Sequence, residues 1–148
     1  MALSEVEFHT GVVDSIDFAC RLLRKAHRSG VRVLVTAPPQ VLDEIDPLLW
    51  ALDDCEFIPH VRVTGAVPSL AARTPVWLST NAQVNDSAVP RVLVNLGAAA
   101  PSNSRTFERL IEIVGIDADD ADRGRERWRA YKALGLEIKH HGAASHRD

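Results

Sequence analysis

Apolar residues recur at two different periods in the first third of the chain. Residues 5–10 alternate between polar and apolar, as a half-buried strand does, whereas residues 16–26 repeat apolar positions every three or four residues, as an amphipathic helix does. Asp14 or Ser15 is placed to begin that helix, and Gly30 is placed to end it. Because the β-branched stretch over residues 31–36 is typical of a buried parallel strand, this order predicts a βαβ unit.

The same alternation continues through the middle of the chain. Residues 40–52 predict a helix, with a kink or a new first turn at Pro47. Short strands are expected at three places: residues 57–61, 75–79 and 91–96. Ser104 is expected to begin a further helix that ends at Gly115 and has an apolar side formed by Phe107, Leu110, Ile111 and Val114.

The C-terminal third predicts a last helix over about residues 119–134, begun by acidic residues that meet the positive end of its dipole. An edge strand over residues 136–138 and a frayed tail over residues 140–148 are expected after it. Strands that alternate with helices in this way predict a Rossmann-like fold. We therefore expect one α/β domain over residues 1–148, with three α/β/α layers and a largely parallel, mixed sheet.

Composition agrees with a single globular domain of ordinary type. The chain has 148 residues, of which 46% are hydrophobic and 25% charged. We expect no membrane span and no secretory signal, because no long apolar stretch is present and the N-terminus lacks a basic region followed by an apolar one. Cys20 and Cys55 cannot form a disulfide framework. A cytoplasmic location is therefore expected.

Charge is distributed unevenly along the chain. The formal net charge is only −3, which argues against a protein that binds nucleic acid over its whole surface. Residues 33–61 contain acidic side chains and no Lys or Arg, whereas residues 123–139 contain six basic side chains and two acidic ones. This asymmetry indicates a local site for an acidic partner, and a solvated helix face is the alternative.

Motifs for catalysis, cofactors or metals are not evident in the sequence. The turn after residues 31–36 is Ala37-Pro38-Pro39, and Gly97 stands alone after residues 91–96, so neither turn has the glycines of a phosphate loop. The six histidines form no metal-binding motif, and His140 and His141 would point to opposite faces of a strand. We expect no catalytic residues, no cofactor and no metal site.

Binding is the chemistry that the last helix favours. Arg125, Trp128, Arg129 and Lys132 recur at helical spacing and form one stripe. Guanidinium groups beside a large aromatic ring suit a short acidic peptide that ends in an apolar side chain and a free carboxylate. Single-stranded nucleic acid would suit the same residue types, although a net-acidic protein would bind it weakly. The remaining alternative is that Trp128 packs inward.

Two aromatic residues in the acidic segment form a second candidate surface. Trp50 ends a predicted helix and Phe57 enters a predicted strand. If both are exposed they form the anchor pair of a protein–protein interface, and if both are buried they belong to the core.

Two blocks of the sequence resemble the chi subunit family of bacterial DNA polymerase III holoenzyme. They are LLW with FIPHVRVTG (residues 48–50 and 57–65) and RERWRAYKALGLEI (residues 125–138), and RLLRKAHRSGVRVLV and VLVNLG fall in the matching order. The resemblance implies a non-catalytic accessory subunit of the clamp-loader assembly. Its implied partners are the acidic, phenylalanine-ended C-terminal tail of single-stranded DNA-binding protein, and a psi subunit or a repair-type helicase.

The resemblance also implies which residues bind these partners. Arg125, Trp128 and Arg129 match the tail-binding positions, and Lys132 is available to assist. Trp50 and Phe57 match the surface for psi or the helicase. A lysine that the family carries one turn before Arg125 is replaced here by Ala121. The rival classes are an α/β enzyme or nucleotide-binding protein, and a direct binder of single-stranded nucleic acid.

Overall fold

The computed structural model describes residues 3–50, 58–64, 67–84 and 86–142. Strands and helices alternate through this part of the chain. Their bounds are β1 Glu5–Val12, α1 Ser15–Arg28, β2 Val33–Thr36, α2 Pro39–Trp50, β3 His60–Arg62, β4 Val76–Ser79, β5 Val92–Asn95, β6 Arg109–Gly115, α3 Ala118–Ala133 and β7 Glu137–His141. No helix in these ranges is long and apolar enough to cross a membrane.

The strands form one sheet in the order β3-β4-β2-β5-β6-β1-β7. Every strand pair within the described ranges is parallel, so the sheet there is parallel throughout and not mixed. Helices α1 and α2 pack on one face, and α3 packs on the other. The predicted α/β class and three α/β/α layers are therefore confirmed. From β1 the chain crosses through α1 to β2, towards one edge of the sheet. From β6 it crosses through α3 to β7, at the other edge, so the direction of the connections reverses between the neighbouring strands β1 and β6.

The local signals of the first βαβ unit are confirmed. Asp14 is the N-cap of α1, and its carboxylate accepts a hydrogen bond from the Asp17 N–H at 3.0 Å. Gly30 has a φ of +73°, the left-handed conformation that commonly follows a helix. The helix α2 extends through Pro47.

The helix expected after Ser104 is wrong. Ser104–Thr106 forms a short 3-10 turn, and residues 109–115 form the strand β6, which pairs with both β5 and β1. A strand in the middle of a parallel sheet is covered on both faces, so it is apolar almost throughout and lacks the polar–apolar alternation of a half-buried strand. Leu110, Ile111 and Val114 therefore lie on both sides of a strand.

The prediction of a frayed tail over residues 140–148 is also wrong for its first two residues. His140 and His141 belong to the edge strand β7, where they pair with Phe8 and His9 of β1. The predicted edge strand over residues 136–138 is confirmed and is longer than expected. Residues 143–148 lie outside the described ranges, as does Phe57 at the start of the strand predicted over residues 57–61.

A candidate peptide-binding site on helix α3

The helix α3 presents a narrow inward face to the sheet. Gly124, Arg127 and Tyr131 are buried along this face. A Cβ at Gly124 would lie 2.8 and 2.9 Å from the two methyl groups of Val114, which is too close for any side chain. Glycine at this position therefore lets α3 approach β6 directly.

A row of polar side chains crosses three strands beneath α3. Thr36, Asn95 and Glu112 are neighbours in register on β2, β5 and β6. The Thr36 hydroxyl donates to the Asn95 side-chain oxygen at 3.0 Å, and the Asn95 amide donates to the Glu112 carboxylate at 2.8 Å. From α3, Arg127 Nε donates to Glu112 at 2.8 Å and the Tyr131 hydroxyl donates to the same carboxylate. This row, with its two helix partners, is named the buried polar row below.

Burial raises the pKa of Glu112, whereas the charge of Arg127 and hydrogen bonds from Tyr131, Asn95 and Arg127 act in the opposite direction. The Arg127 and Glu112 side chains are only 6% and 0% exposed. Because Arg127 and Tyr131 of α3 both donate to the buried Glu112, these bonds determine which face of α3 is turned towards the sheet. Sequence reasoning missed this row, although a single glutamate within the apolar stretch of residues 110–114 was a visible signal.

The rotation of α3 places Trp128 over the β1–β7 edge of the sheet. The Trp128 ring packs against Phe8 at 5.0 Å between centroids and against His140 at 5.4 Å. His140 is held by Thr10, whose hydroxyl lies 2.6 Å from its Nε2 atom. Trp128 is thus half-buried, and its ring forms a wall between the helix and the strands.

A cavity of about 420 Å³ lies beside this wall, within the range of small-ligand and side-chain pockets. It is lined mainly by apolar groups and backbone from β1, β6, β7 and α3, namely Phe8, Thr10, Gly11, Val114, Gly115, Ile116, Ala121, Gly124, Arg125, Trp128 and His140. We call this cavity the α3 pocket. Arg125 is the one Lys or Arg among these lining residues.

The predicted stripe divides between the α3 pocket and the open helix surface. Arg125 and Trp128 line the pocket, whereas Arg129 and Lys132 are exposed on α3 outside its lining. Ala121, the position of the family lysine, also lines the pocket. The buried residues of α3 are Gly124, Arg127 and Tyr131, so its buried face is offset from the predicted stripe, and the half-buried Trp128 lies at the border between the two.

The second predicted surface, formed by Trp50 and Phe57, lies only partly within the described residues. Trp50 is 60% exposed at the end of α2, and the neighbouring Leu48 is 45% exposed. The Trp50 ring contacts His60 at 5.1 Å between centroids, and His60 Nε2 lies 2.6 Å from the Asp46 carboxylate. Phe57, the partner of Trp50 in the prediction, lies outside the described residues.

A larger cavity of about 690 Å³ lies at the carboxyl ends of β1, β5 and β6, where α/β sheets commonly bind ligands. Three helix N-termini meet there, and each carries residues that make it less suited to bind an anion. Asp14 caps α1, Pro38 and Pro39 remove N–H donors at α2, and the first turn of α3 carries Asp119 and Asp120. Asp117, the N-cap of α3, makes no side-chain capping bond, contrary to expectation.

Fold and pocket define a three-layer parallel α/β protein with a mainly apolar pocket bordered by a guanidinium group. Residues 3–139 match the model of the family described as DNA polymerase III chi subunit, HolC. The chain belongs to this family.

Two curated relatives carry the same description. The chain is 32% identical over 127 residues to DNA polymerase III subunit chi of Haemophilus influenzae, covering 82% of this chain and 83% of the relative. It is 29% identical over 146 residues to the Pseudomonas aeruginosa protein of the same name, covering 94% and 96%. The C-terminal domain of the DEAD-box protein Dbp5 superposes with a TM-score of 0.62 at 12% identity, over 97% of this chain and 92% of that one. This last likeness shows the fold alone.

Proposed function

We propose that this chi-family protein is a non-catalytic accessory subunit that links the clamp-loader assembly to single-stranded DNA-binding protein. The α3 pocket is the proposed docking site for the acidic, phenylalanine-ended tail of that protein. The observation that carries the proposal is the position of Arg125, whose side chain is 65% exposed at an otherwise mainly apolar pocket. A C-terminal phenylalanine carries an apolar ring and a carboxylate on the same residue, so it can fill the pocket and reach Arg125 together.

The geometry supports a specific pose for the tail. The terminal phenylalanine ring enters the α3 pocket and contacts the Trp128 and Phe8 rings that line it, since contacts between aromatic rings are favourable. Its carboxylate reaches Arg125, because a guanidinium group binds a carboxylate through two parallel hydrogen bonds. The preceding acidic residues of the tail pass Arg129 and Lys132, which are exposed on α3. These outer contacts are screened by salt and add less.

The large cavity supports a non-catalytic role. Phosphate sites in α/β sheets need backbone N–H groups at a helix N-terminus, and all three N-termini at this cavity are capped, proline-blocked or acidic. We therefore propose that the protein hydrolyses no nucleotide and meets single-stranded nucleic acid only through its partners, in the cytoplasm.

The Trp50 surface is the proposed site for the second partner, a psi subunit or a repair-type helicase. Exposed tryptophan is enriched at the energetic centres of interfaces, and Leu48 extends the apolar patch beside Trp50. The His60 ring, which is hydrogen-bonded to Asp46, contacts the Trp50 ring and helps to hold it in position. Phe57 is included in this surface on the resemblance alone.

Calorimetry with a synthetic tail peptide tests the main proposal. Arg125→Ala should weaken binding by about 10- to 100-fold, because a charge-assisted bond contributes about 1.5–3 kcal/mol. Arg125→Lys should recover part of this loss, and a peptide without its final phenylalanine should bind the unaltered protein poorly.

Arg123→Ala is the matched control, since Arg123 lies on α3 but borders the larger cavity. If Arg125→Ala binds the peptide as well as the unaltered protein, the tail site is elsewhere. If Arg123→Ala loses as much affinity as Arg125→Ala, the peptide responds to net charge and not to the pocket.

Pull-down with a purified psi subunit or helicase tests the second surface. Trp50→Ala should weaken that interaction by roughly 30-fold or more, the effect of losing a hot-spot residue, without changing tail binding. Leu70→Ala is the control, because Leu70 is as exposed as Trp50 and lies in a different segment. Equal binding by Trp50→Ala would contradict the assignment.

A further inference from the structure

Three possible metal ligands meet on the face of the sheet opposite α3. Glu7 and His9 lie two residues apart on β1 and therefore point to the same face, and His141 of β7 pairs in register with His9. One ligand atom from each side chain lies within 4.8 Å of the other two. All three residues are half-buried. A glutamate with two histidines is a ligand set that zinc sites use.

The two imidazole rings lie almost parallel, with centroids 4.6 Å apart and planes inclined by 10°. Zinc binds imidazole nitrogen and carboxylate oxygen at about 2.0–2.2 Å, so tetrahedral ligand atoms lie roughly 3.4 Å from each other. Binding of one ion would therefore require the side chains to rotate until their ligand atoms converge. Three protein ligands would leave a fourth position for water.

The carboxylate of the set is already oriented. Arg109 donates to both oxygens of Glu7, with Nε at 2.6 Å and Nη2 at 3.0 Å. These bonds hold the pKa of Glu7 below its ordinary value, so the group is ionised. Each oxygen keeps a second lone pair for a metal. Arg109 is thus placed as the outer hydrogen-bonding partner that metal-binding carboxylates commonly have.

The ligand types indicate the kind of metal. The positively charged Arg109 and Lys139 lie near Glu7 and oppose any cation there, so most of the affinity must come from the two imidazoles. Magnesium and calcium depend on oxygen ligands and are disfavoured here. Zinc gains most of its binding from the two imidazoles, which are neutral when they coordinate it.

We propose that Glu7, His9 and His141 bind one Zn²⁺ ion, which joins the edge strand β7 to β1. This inference is independent of tail binding. The same strand carries His140 on its opposite face, where it lines the α3 pocket. Metal binding would therefore hold in place the strand that supports one wall of that pocket.

Titration of untagged, metal-free protein with ZnCl₂ in a calorimeter tests the proposal. We expect one ion per chain and a higher melting temperature in zinc, and no binding of MgCl₂. His9→Ala and His141→Ala should each weaken zinc binding by at least about tenfold. His140→Ala is the matched control, because it removes the adjacent histidine from the other face and should leave zinc affinity unchanged.

His141→Ala and Glu7→Gln are the deciding variants if His9→Ala does not fold, since His9 also contacts Phe18 of α1 at 5.2 Å. Circular dichroism of each metal-free variant confirms folding before the titration. The proposal is overturned if the unaltered protein binds no zinc, if His140→Ala loses as much affinity as His141→Ala, or if folded His141→Ala binds zinc normally.

Discussion

Arg125 donates a hydrogen bond to Asp122, one turn earlier on α3, with 2.5 Å between guanidinium nitrogen and carboxylate oxygen. Both side chains are mostly exposed, at 65% and 68%. Exposed pairs of this kind contribute little to stability, so the contact is easily exchanged for another carboxylate. Asp122 therefore occupies the guanidinium group that the tail carboxylate would use.

Replacement of Asp122 should strengthen tail binding. Asp122→Asn frees Arg125 of an ionic competitor, and we expect affinity for the tail peptide to rise about 2- to 5-fold, equivalent to roughly 0.4–1 kcal/mol. Calorimetry at low salt measures the change. Asp119→Asn removes the same charge from the first turn of α3 and should have less effect. Equal gains from both variants would mean that only net charge matters.

Restoring the family lysine should also strengthen tail binding. Ala121 lines the α3 pocket one turn before Arg125, so Ala121→Lys adds a cation where the acidic tail would pass. The expected gain is about 2- to 5-fold, and it should shrink as salt is added. Ala130→Lys adds the same charge to an exposed position of α3 and is the control. A gain from Ala130→Lys alone would contradict the proposed path of the tail.

Gly124→Ala should destabilise the domain and distort the α3 pocket. The added methyl group meets Val114 at 2.8 Å, and overpacking of this kind costs about 1–3 kcal/mol. The better helix propensity of alanine offsets up to about 1 kcal/mol of that cost. Urea denaturation measures the loss. In the double variant with Val114→Ala, the loss should be smaller than the sum of the two single losses, and simple additivity would exclude the clash.

Glu112→Gln should be far more damaging than its conservative size suggests. It leaves the Arg127 charge buried without its partner, which costs about 3–5 kcal/mol of unfolding free energy. Denaturant unfolding checks the value. Glu126→Gln, on the exposed side of α3, should change stability by less than about 0.5 kcal/mol. A loss below about 1 kcal/mol for Glu112→Gln would show that the buried polar row does not anchor α3.

Much of the first βαβ unit was predictable because α1 begins and ends at residues with strong local preferences. Asp14 and Gly30 act on their own neighbours in sequence, so their effect is readable without tertiary structure. The sequence of β6 predicts a helix because both faces of this strand are buried and its apolar residues also fit a helical period. Strand order and register depend on contacts between distant segments and left no local signal.

The candidate site was likewise predictable only in part from the sequence. Arg125 and Trp128 share one helix, so their spacing alone predicted that they lie together. Phe8 and His140 come from strands at opposite ends of the chain, and only the β1–β7 register brings them to Trp128. Arg127 is one of the six basic residues over residues 123–139, and nothing in the spacing of α3 distinguishes a buried arginine from an exposed one.

The position of β1 within the sheet has a consequence for synthesis of the chain. Within the described residues β1 comes first along the chain, yet it lies between β6 and β7, which come last, and Glu7 pairs with Ile111 and Lys139. A nascent chain on the ribosome therefore carries Val6 and Phe8 uncovered until residues 109–141 have emerged. Contacts so distant in sequence also slow folding. The α3 pocket, which Phe8 and Trp128 both line, therefore forms only after residues 109–141 have been made.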